Sequence, residues 1–234
     1  MNVPGFIDYD VDVVVKFGGS LLARLEDVKR FAVTLGALRR SGIRIVVVPG
    51  GGPTDKTIEA IDRQQRLSLE ICHRACALAQ DQTGLVISDE SFSDALRTCD
   101  NFEDLRRVLD SERVAVLLPS RILFALDPIE RTWDVTSDAV AAWVAWLLSA
   151  RSFAIATDVD GVFSSGRIGS EEHLLPKISA RDLVAMGHTA VDRCAAEFLL
   201  GRSMDCFVFN GKDPERLGRW LTGEPARGTH VTRA

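Results

Sequence analysis

Short apolar runs alternate with longer amphipathic stretches along most of the chain. A continuous apolar run with turn residues at its ends is typical of a strand buried on both faces of a sheet. We predict strands over Val11–Val15, Ile43–Val48, Val114–Leu118, Phe153–Thr157 and Cys206–Phe209, with a further candidate at Ile122–Leu126 and an edge strand at Thr229–Val231.

The stretches between these runs carry apolar residues at helical spacing. The first stripe joins Val28, Phe31 and Leu35, and a glycine follows it as a stop signal. The segment Asp89–Asp110 is polar and mixed, and only its end has a helical pattern. We predict helices over Leu25–Arg40, Thr54–Gln65, Leu67–Gln82, Phe102–Leu109, Thr136–Ala150, Ser179–Met186, Val191–Leu200 and Pro214–Leu221.

This alternation of strands and helices indicates the fold class α/β. Strands separated by helices need crossover connections, which give a mainly parallel sheet with helices on both faces. Ligands of such sheets bind beyond the carboxyl ends of the strands. No low-complexity linker divides the chain, so we predict one domain over residues 1–234, built as two lobes.

Two of the predicted strands end in glycine-rich turns that a helical stretch follows. The first strand leads into Lys16 and then Gly18–Ser20, and the second ends at Gly50–Gly52. Backbone N–H groups of such turns and the positive end of the next helix can bind phosphate, and a lysine adds a point charge. Each turn could also be an ordinary strand-to-helix connection, and neither has Walker or dinucleotide spacing. The pair of turns favours a phosphoryl-transfer site.

Composition narrows the classes of partner. The net charge of −5 gives no basic surface for nucleic acid, and no apolar run approaches the roughly 20 residues of a membrane span. The first ten residues lack a signal-peptide pattern, so we expect a cytoplasmic protein. Cys72 and Cys76, one helical turn apart beside His73, fit either a metal pair or small buried residues on a helix face.

Acidic residues lie near the ends of two predicted elements. Thr136 can cap the helix that follows it, and Asp138 lies in the first turn, where the helix dipole favours a carboxylate. Asp138 is thus either a solvated surface acid or a group that orients a lysine, and Asp134 can likewise be a simple capping group. Asp158–Gly161 fits either a turn whose aspartates bond their own backbone or part of a phosphoryl-transfer site.

Four segments occur in the order found in the amino acid kinase superfamily, which includes the acetylglutamate, aspartate and uridylate kinases. They are Lys16–Ser20, Pro49–Gly52, Thr136–Asp138 ahead of an alanine-rich helix, and Thr157–Val162. The resemblance spans nearly the whole chain. It implies a three-layer αβα sandwich with a mainly parallel central sheet, with the acceptor bound in the lobe of about 1–150 and Mg-ATP in the lobe of about 151–234.

The resemblance also implies roles for single residues. Lys16 would stabilise the transferring phosphoryl group, and Asp138 would orient that lysine. The acceptor would contact Gly50, Gly51, Gly52, Asp134 and Thr136. The nucleotide would contact Gly18, Gly19, Ser20, Thr157, Asp158, Asp160, Gly161 and Val162. ATP and Mg²⁺ are the implied cofactors, with no residue binding metal directly, and a homo-oligomer is implied because family members assemble in this way.

The chain departs from the family pattern at one position. Many members carry a second catalytic lysine after a glycine-rich segment of the C-terminal half, and the matching stretch Gly187–Arg193 has none. Arg193, Lys177 and Lys212 are the candidates to replace it, although arginine is not equivalent to lysine. His188, in the same stretch, could contact phosphate.

Within the superfamily, three segments are most similar in sequence to the 5-(aminomethyl)-3-furanmethanol phosphate kinases of methanofuran-type cofactor synthesis. They are Trp133–Asp138, Asp81-Gln82 and Gly187–Thr189. Those enzymes use ATP to convert a phosphate monoester to a diphosphate, which implies a small phosphorylated acceptor. The acceptor's amine would need a carboxylate, for which the candidates are Asp55, Asp62 and Asp81. Two alternatives are a non-catalytic nucleotide or oxoanion store resembling the molybdenum storage proteins, and a uridylate kinase.

Overall fold

The central sheet contains all the strands of the part of the chain that the computed structural model describes, residues 7–126, 128, 130–164, 173–187 and 189–233. The strands are β1 (Val13–Phe17), β2 (Ile45–Pro49), β3 (Leu96–Cys99), β4 (Val114–Leu117), β5 (Ser152–Thr157), β6 (Lys177–Ser179), β7 (Cys206–Asn210) and β8 (Thr229–Thr232). Their order is β3-β4-β2-β1-β5-β7-β8-β6, and only the β7–β8 pair is antiparallel. The predicted α/β class with a mainly parallel sheet is confirmed.

Helices connect these strands and cover the sheet. They are α1 (Leu25–Arg40), α2 (Gly52–Gln65), α3 (Leu69–Ile87), α4 (Phe102–Asp110), α5 (Ser120–Leu126), α6 (Ser137–Leu147), α7 (Ala180–Met186), α8 (Arg193–Arg202) and α9 (Glu215–Leu221). A 3-10 turn over Gly19–Ala23 follows β1. In the described residues, no helix is both long and apolar enough to cross a membrane.

The core consists of two apolar layers, one on each face of the sheet. Because successive side chains of a strand alternate between faces, Val14 belongs to one layer and Val13 and Val15 to the other. The first layer packs against α4, α6, α7 and α8, and the second packs against α1 and α9. This is the expected three-layer αβα sandwich. The division into an acceptor lobe and a nucleotide lobe stays a prediction.

Four features of the sheet and its connections differ from the predictions. The candidate strand at Ile122–Leu126 is part of helix α5, since a short apolar run cannot by itself distinguish strand from helix. Strands β3 and β6 were missed because both are short and lie at the edges of the sheet, where half the side chains are solvated and the apolar pattern is weak. The predicted edge strand β8 is internal, because β6 pairs with its outer side.

The predicted loops meet at one edge of the sheet. Strand β1 pairs in parallel with β2 on one side and with β5 on the other, with Phe17 opposite both Pro49 and Ala156. The glycine turns after β1 and β2 and the aspartate turn after β5 therefore leave the sheet side by side. Helix α6 packs against β1, β2 and β5.

Candidate active site

Lys16 lies inside β1, one residue beyond the end predicted for that strand. Its side chain emerges from a fully buried strand, and the residue as a whole is only 9% exposed. The ammonium Nζ is 2.7 Å from Oδ1 of Asp138, which is 6% exposed in the first turn of α6. The predicted lysine and its predicted orienting acid thus form a buried ion pair.

Contacts at the N-terminus of helix α6 hold Asp138 in place. The side chain of Thr136 accepts a hydrogen bond from the Asp138 backbone N–H at 3.3 Å and caps the helix. The second oxygen of Asp138, Oδ2, accepts a bond from the backbone N–H of Asp192 at 3.3 Å. Oδ1 of Asp138 is therefore held by the ion pair with Lys16 and Oδ2 by the Asp192 N–H, and the role of orienting acid stays a prediction.

The two glycine turns pack directly against each other. A Cβ on Gly19 would overlap the backbone nitrogen of Gly52, and Gly52 itself has φ +61, a left-handed conformation that favours glycine. The amides of Gly18 and Gly50 donate to the carbonyls of Ala156 and Phe17, both at 2.8 Å. These two amides are therefore used by the sheet edge, and any anion must be met by other N–H groups of the turns.

A cavity of about 760 Å³ opens beside the two turns. One end is polar and contains Lys16, Gly18, Gly19, Ser20, Gly50, Gly51 and Gly52. The rest of the wall is mostly apolar and includes Leu22, Leu69, Leu123, Trp133, Val135 and Val140. Such a cavity has room for a small organic molecule with an anionic group at one end.

Asp55 is the carboxylate closest to the polar end of this cavity. Its oxygens lie against Gly51, where a Cβ would overlap them, and Oδ1 is buried without a hydrogen-bond partner in the described part of the chain. Burial raises the pKa of Asp55, although the Cys76 thiol, the Gly51 backbone and the charge of Lys16 oppose this effect. Burial and the neighbouring Asp55 raise the pKa of Cys76 to about 12, so this thiol is protonated.

The cysteines of the cavity wall act as small packing residues. Cys72 and Cys76 line the cavity together with His73, and all five cysteines of the chain are free. Among the residues that the structure describes, no group of three or more His, Cys, Asp or Glu residues could hold a metal ion. Of the two readings of this cysteine pair, the geometry favours packing.

A second, smaller pocket of about 180 Å³ lies on the other side of the ion pair. Its lining comprises Thr136, Asp138, Thr157, Asp158, Val159, Thr189, Ala190 and Asp192. Lys16 lines the large cavity and Asp138 the small pocket, so the ion pair forms part of the wall between them. Thr157 and Asp158 were predicted to contact nucleotide, and they lie in this pocket.

Asp192 is a residue of this site to which the sequence interpretation gave no role. It caps α8 by accepting a bond from the Ala195 backbone N–H at 2.6 Å, and it is 3% exposed. The predicted helix Val191–Leu200 placed Asp192 inside the helix, whereas α8 begins at Arg193, and even an aspartate read as its cap would predict a cap and nothing more. Its contacts with α6 arise from tertiary packing.

Several predicted contacts lie outside both pockets. Asp134 is exposed and its charge acts on Arg193. Asp160 pairs with Arg216 and Arg227, each at 2.7 Å. Gly161, with φ +152, packs against Thr229, whose hydroxyl accepts the Val162 N–H at 2.8 Å. In the described residues this turn is a structural unit, and its predicted contact with nucleotide stays a prediction.

The three cations proposed to replace the missing lysine have different surroundings. Arg193 pairs with Glu197 at 2.8 Å on the exposed face of α8, and Lys177 is exposed on the edge strand β6. Lys212 Nζ donates to the backbone carbonyl of Asp158 at 3.2 Å, beside the small pocket. Lys212 is thus the candidate that the fold brings to the predicted nucleotide side. His188 lies outside the described residues.

Comparisons with known proteins show to which proteins the chain is similar. The model of the amino acid kinase family matches residues 13–210. The [5-(aminomethyl)furan-3-yl]methyl phosphate kinase of Methanocaldococcus jannaschii is 33% identical over 90% of this chain and 93% of its own. A uridylate kinase of Methanococcus maripaludis is 28% identical over 95% of this chain and 100% of its own. The solved uridylate kinase of Archaeoglobus fulgidus superimposes with a TM-score of 0.73 at 23% identity, covering 95% of this chain and 100% of that one.

Proposed function

The chain belongs to the amino acid kinase family and is a phosphotransferase, and from that premise we propose that it phosphorylates a small phosphate monoester with ATP. The proposed acceptor is [5-(aminomethyl)furan-3-yl]methyl phosphate, the compound in the name of the archaeal relative. The product would be the corresponding diphosphate of methanofuran-type cofactor synthesis. The predicted homo-oligomer and the cytoplasmic location remain predictions.

One observation carries the proposal. The Lys16 ammonium lies at the wall between a cavity suited to a small acceptor and a pocket bordered by the predicted nucleotide contacts Thr157 and Asp158. A single cation at such a boundary can neutralise charge on a phosphoryl group as it passes from one ligand to the other. Phosphoryl transfer depends mainly on alignment and on charge stabilisation of this kind.

The surroundings of Asp138 favour a phosphate over a hydroxyl as the attacking group. An acceptor hydroxyl has to lose a proton, usually to a nearby carboxylate, whereas a phosphate monoester is already ionised near neutral pH. Asp138 is bonded to Lys16 and to the Asp192 N–H, so it is held as an orienting group. In the proposed step an acceptor phosphate oxygen bonds to the γ-phosphorus, the bond from that phosphorus to the β–γ bridging oxygen breaks, and ADP leaves.

Mg²⁺ would be bound mainly through the nucleotide. This ion is usually held by one or two carboxylates, the substrate phosphates and water, and its role would be to neutralise charge on the β- and γ-phosphates. Asp158 is exposed at the small pocket and has no ion-pair partner in the described residues. The residues present are therefore compatible with Mg-ATP.

Asp55 is the proposed contact for the acceptor's amine. Of the three carboxylates that the sequence offered, only Asp55 lines the large cavity. Asp62 accepts a hydrogen bond from Trp133 Nε1 at 2.9 Å, and Asp81 holds the start of α5 through Ser120.

Turnover assays on purified protein test the proposal. With Mg-ATP we expect ADP formation that depends on the furan phosphate, less with UMP, and none without acceptor. Lys16→Met keeps the buried aliphatic stem and should lower kcat at least about 10²-fold, because the charge acts on the transferring group. Lys29→Ala, on the exposed side of α1, is the matched control, and its kcat should equal that of the wild type.

The same assay separates the alternatives. A preference for UMP would support a uridylate kinase, as named for the relatives at lower identity. Failure of every phosphate acceptor to stimulate ADP release would reject the proposed reaction and favour nucleotide or oxoanion storage.

A further inference from the structure

Asp192 connects the start of α8 to the start of α6. One carboxylate oxygen, Oδ1, caps α8 at Ala195. The other, Oδ2, accepts the Thr136 hydroxyl at 2.5 Å and the Ala139 backbone N–H at 3.3 Å. Asp192 therefore accepts hydrogen bonds from the first turn of each of the two helices.

The backbone of Asp192 also acts on the lysine's partner. Its N–H donates to Oδ2 of Asp138 at 3.3 Å, and the opposite oxygen of Asp138 contacts Lys16 at 2.7 Å. A continuous chain of contacts thus runs from α8, through both aspartates, to the ammonium group. Asp192 itself lines the small pocket, as do Thr189 and Ala190 shortly before it in sequence, so this chain of contacts starts at the predicted nucleotide side.

Helix capping alone does not account for the carboxylate at this position. Asparagine caps helices as well as aspartate does. Asp192 places a second buried carboxylate beside Asp138, and burial followed by the charge of Asp138 raises the pKa of Asp192. The ionised group is therefore costly to the fold, whereas an asparagine cap would avoid that cost. A carboxylate is required only if both of its oxygens must accept, and four donors from two helices converge on this residue and on Asp138.

We propose that Asp192 is a positioning residue for phosphoryl transfer: it fixes the first turn of α6 and the rotation of the Asp138 carboxylate, and through them it aims the Lys16 ammonium. This inference rests on the proposed function, which it deepens. Asparagine at this position presents one oxygen and one NH₂ group. If the oxygen caps α8 at Ala195, the NH₂ group faces the Ala139 N–H, which then loses its acceptor. The first turn of α6 should then shift, and Asp138 with it.

Asp192→Asn is the variant that tests the inference, with Ser179→Ala as the matched control. Ser179 caps the neighbouring helix α7 by accepting the Asp182 N–H at 3.0 Å and lies in neither pocket. We expect Asp192→Asn to lower kcat by about 10- to 100-fold with KM for both substrates nearly unchanged, since misplacement of a catalytic group acts on the transition state. Ser179→Ala should lower Tm by about 2–4 °C and leave kcat unchanged.

A chemical readout examines the same contact without turnover. Acetylation of Lys16 Nζ, followed by mass spectrometry, reports how firmly the ammonium is held, and Lys29 and Lys177 serve as internal exposed references. Asp192→Asn should raise the labelling rate of Lys16 severalfold relative to the references. If wild-type protein shows no acceptor-dependent turnover, the proposed function fails and the labelling still decides whether Asp192 holds the lysine.

A double-mutant cycle locates the effect. Thr136→Val removes the hydroxyl that donates to Asp192 and keeps the shape of the side chain. If the two groups act as a unit, the double variant should lose little more kcat than Asp192→Asn alone. Additive losses would contradict the route through Thr136. Wild-type kcat in Asp192→Asn, together with unchanged Lys16 labelling, would overturn the inference.

Discussion

Two charged clusters in different parts of the molecule have central ion pairs of similar burial but differ in charge balance. The lysine cluster consists of Lys16, Asp138 and Asp192. The arginine cluster consists of Asp160, Asp213, Arg216 and Arg227. The central pair of each cluster is almost equally covered, with side chains 11% and 8% exposed in the first and 12% and 14% in the second. The outer members differ, because Asp213 and Arg227 are 44% and 54% exposed whereas Asp192 is 3% exposed. The clusters also differ in charge.

The arginine cluster is balanced, because two guanidinium groups meet two carboxylates. The lysine cluster has two carboxylates and one ammonium group, so one negative charge in a buried position has no compensating charge among the described residues. Buried charge without a partner is costly. Buried like-charge pairs of this kind are concentrated at functional sites. The comparison indicates a structural role for the arginine cluster and a functional one for the lysine cluster.

Exchanging one aspartate for asparagine in each cluster should give opposite phenotypes. Asp138→Asn should reduce kcat about 10²-fold, because Lys16 loses the charge that orients it. Asp160→Asn should leave kcat within about twofold of wild type and lower the free energy of unfolding by about 2 kcal/mol, since charge-assisted hydrogen bonds to two arginines are lost. Steady-state kinetics and urea unfolding of both variants provide the measurement.

Each of these two variants serves as the control for the other, because one should mainly lose activity and the other mainly stability. Asp138→Asn should change the free energy of unfolding less than Asp160→Asn does, because it also removes repulsion with Asp192. Equal loss of activity in both variants would mean that Asp160 contacts the nucleotide, as its position in the family pattern implied. The assignment of a structural role to the arginine cluster would then be wrong.

Local sequence patterns were sufficient for most of the fold. Helix α1 occupies the predicted Leu25–Arg40, and both glycine turns follow the predicted strands. Each of these elements carries its own signal, either a helical stripe or a buried run that ends in glycine. Strands β3 and β6 carry no such signal, because an edge strand of three or four residues is stabilised mainly by the neighbour with which it pairs.

In the candidate site, too, some residues could be predicted from sequence and others could not. The resemblance to the family implied that Lys16 and Asp138 act as a pair, and the structure places them 2.7 Å apart. The contacts of Asp192 and Asp160 depend on which helices and turns pack together over long sequence separations. An aspartate beside a turn looks the same whether it will meet an arginine or a threonine hydroxyl, so sequence could not distinguish these two.

Replacement of Lys212 should have a smaller effect than replacement of Asp138, and it tests whether the lysine cluster is short of positive charge. If the lysine cluster is short of positive charge, a triphosphate beside it needs a further cation, and Lys212 is held near the small pocket by its bond to the Asp158 carbonyl. Lys212→Ala should raise KM for ATP about 10-fold, the loss of one charged hydrogen bond, with KM for the acceptor unchanged. Lys177→Ala and Arg193→Ala are matched controls and should behave as wild type.

The acid dependence of stability should have opposite signs in the two clusters. Burial raises the pKa of Asp192, reinforced by Asp138, so its folded form binds a proton more readily than its unfolded form. Protonation of Asp192 should add stability as the pH falls from neutral through its raised pKa. For Asp160, burial is outweighed by hydrogen bonds from Arg216 and Asn210 and by the charge of Arg216, so its pKa lies below the ordinary value. Its contribution is present above about pH 4 and is lost below that.

Urea unfolding of the wild type, Asp192→Asn and Asp160→Asn between pH 7 and pH 3 measures the two contributions separately. Asp192→Asn should abolish the gain in stability on mild acidification, because asparagine does not titrate. Asp160→Asn should be less stable at neutral pH and lose less on going below pH 4. If both variants followed the pH profile of the wild type, the pKa values of the two carboxylates would be ordinary. The difference in charge balance between the clusters would then not affect the free energy of unfolding.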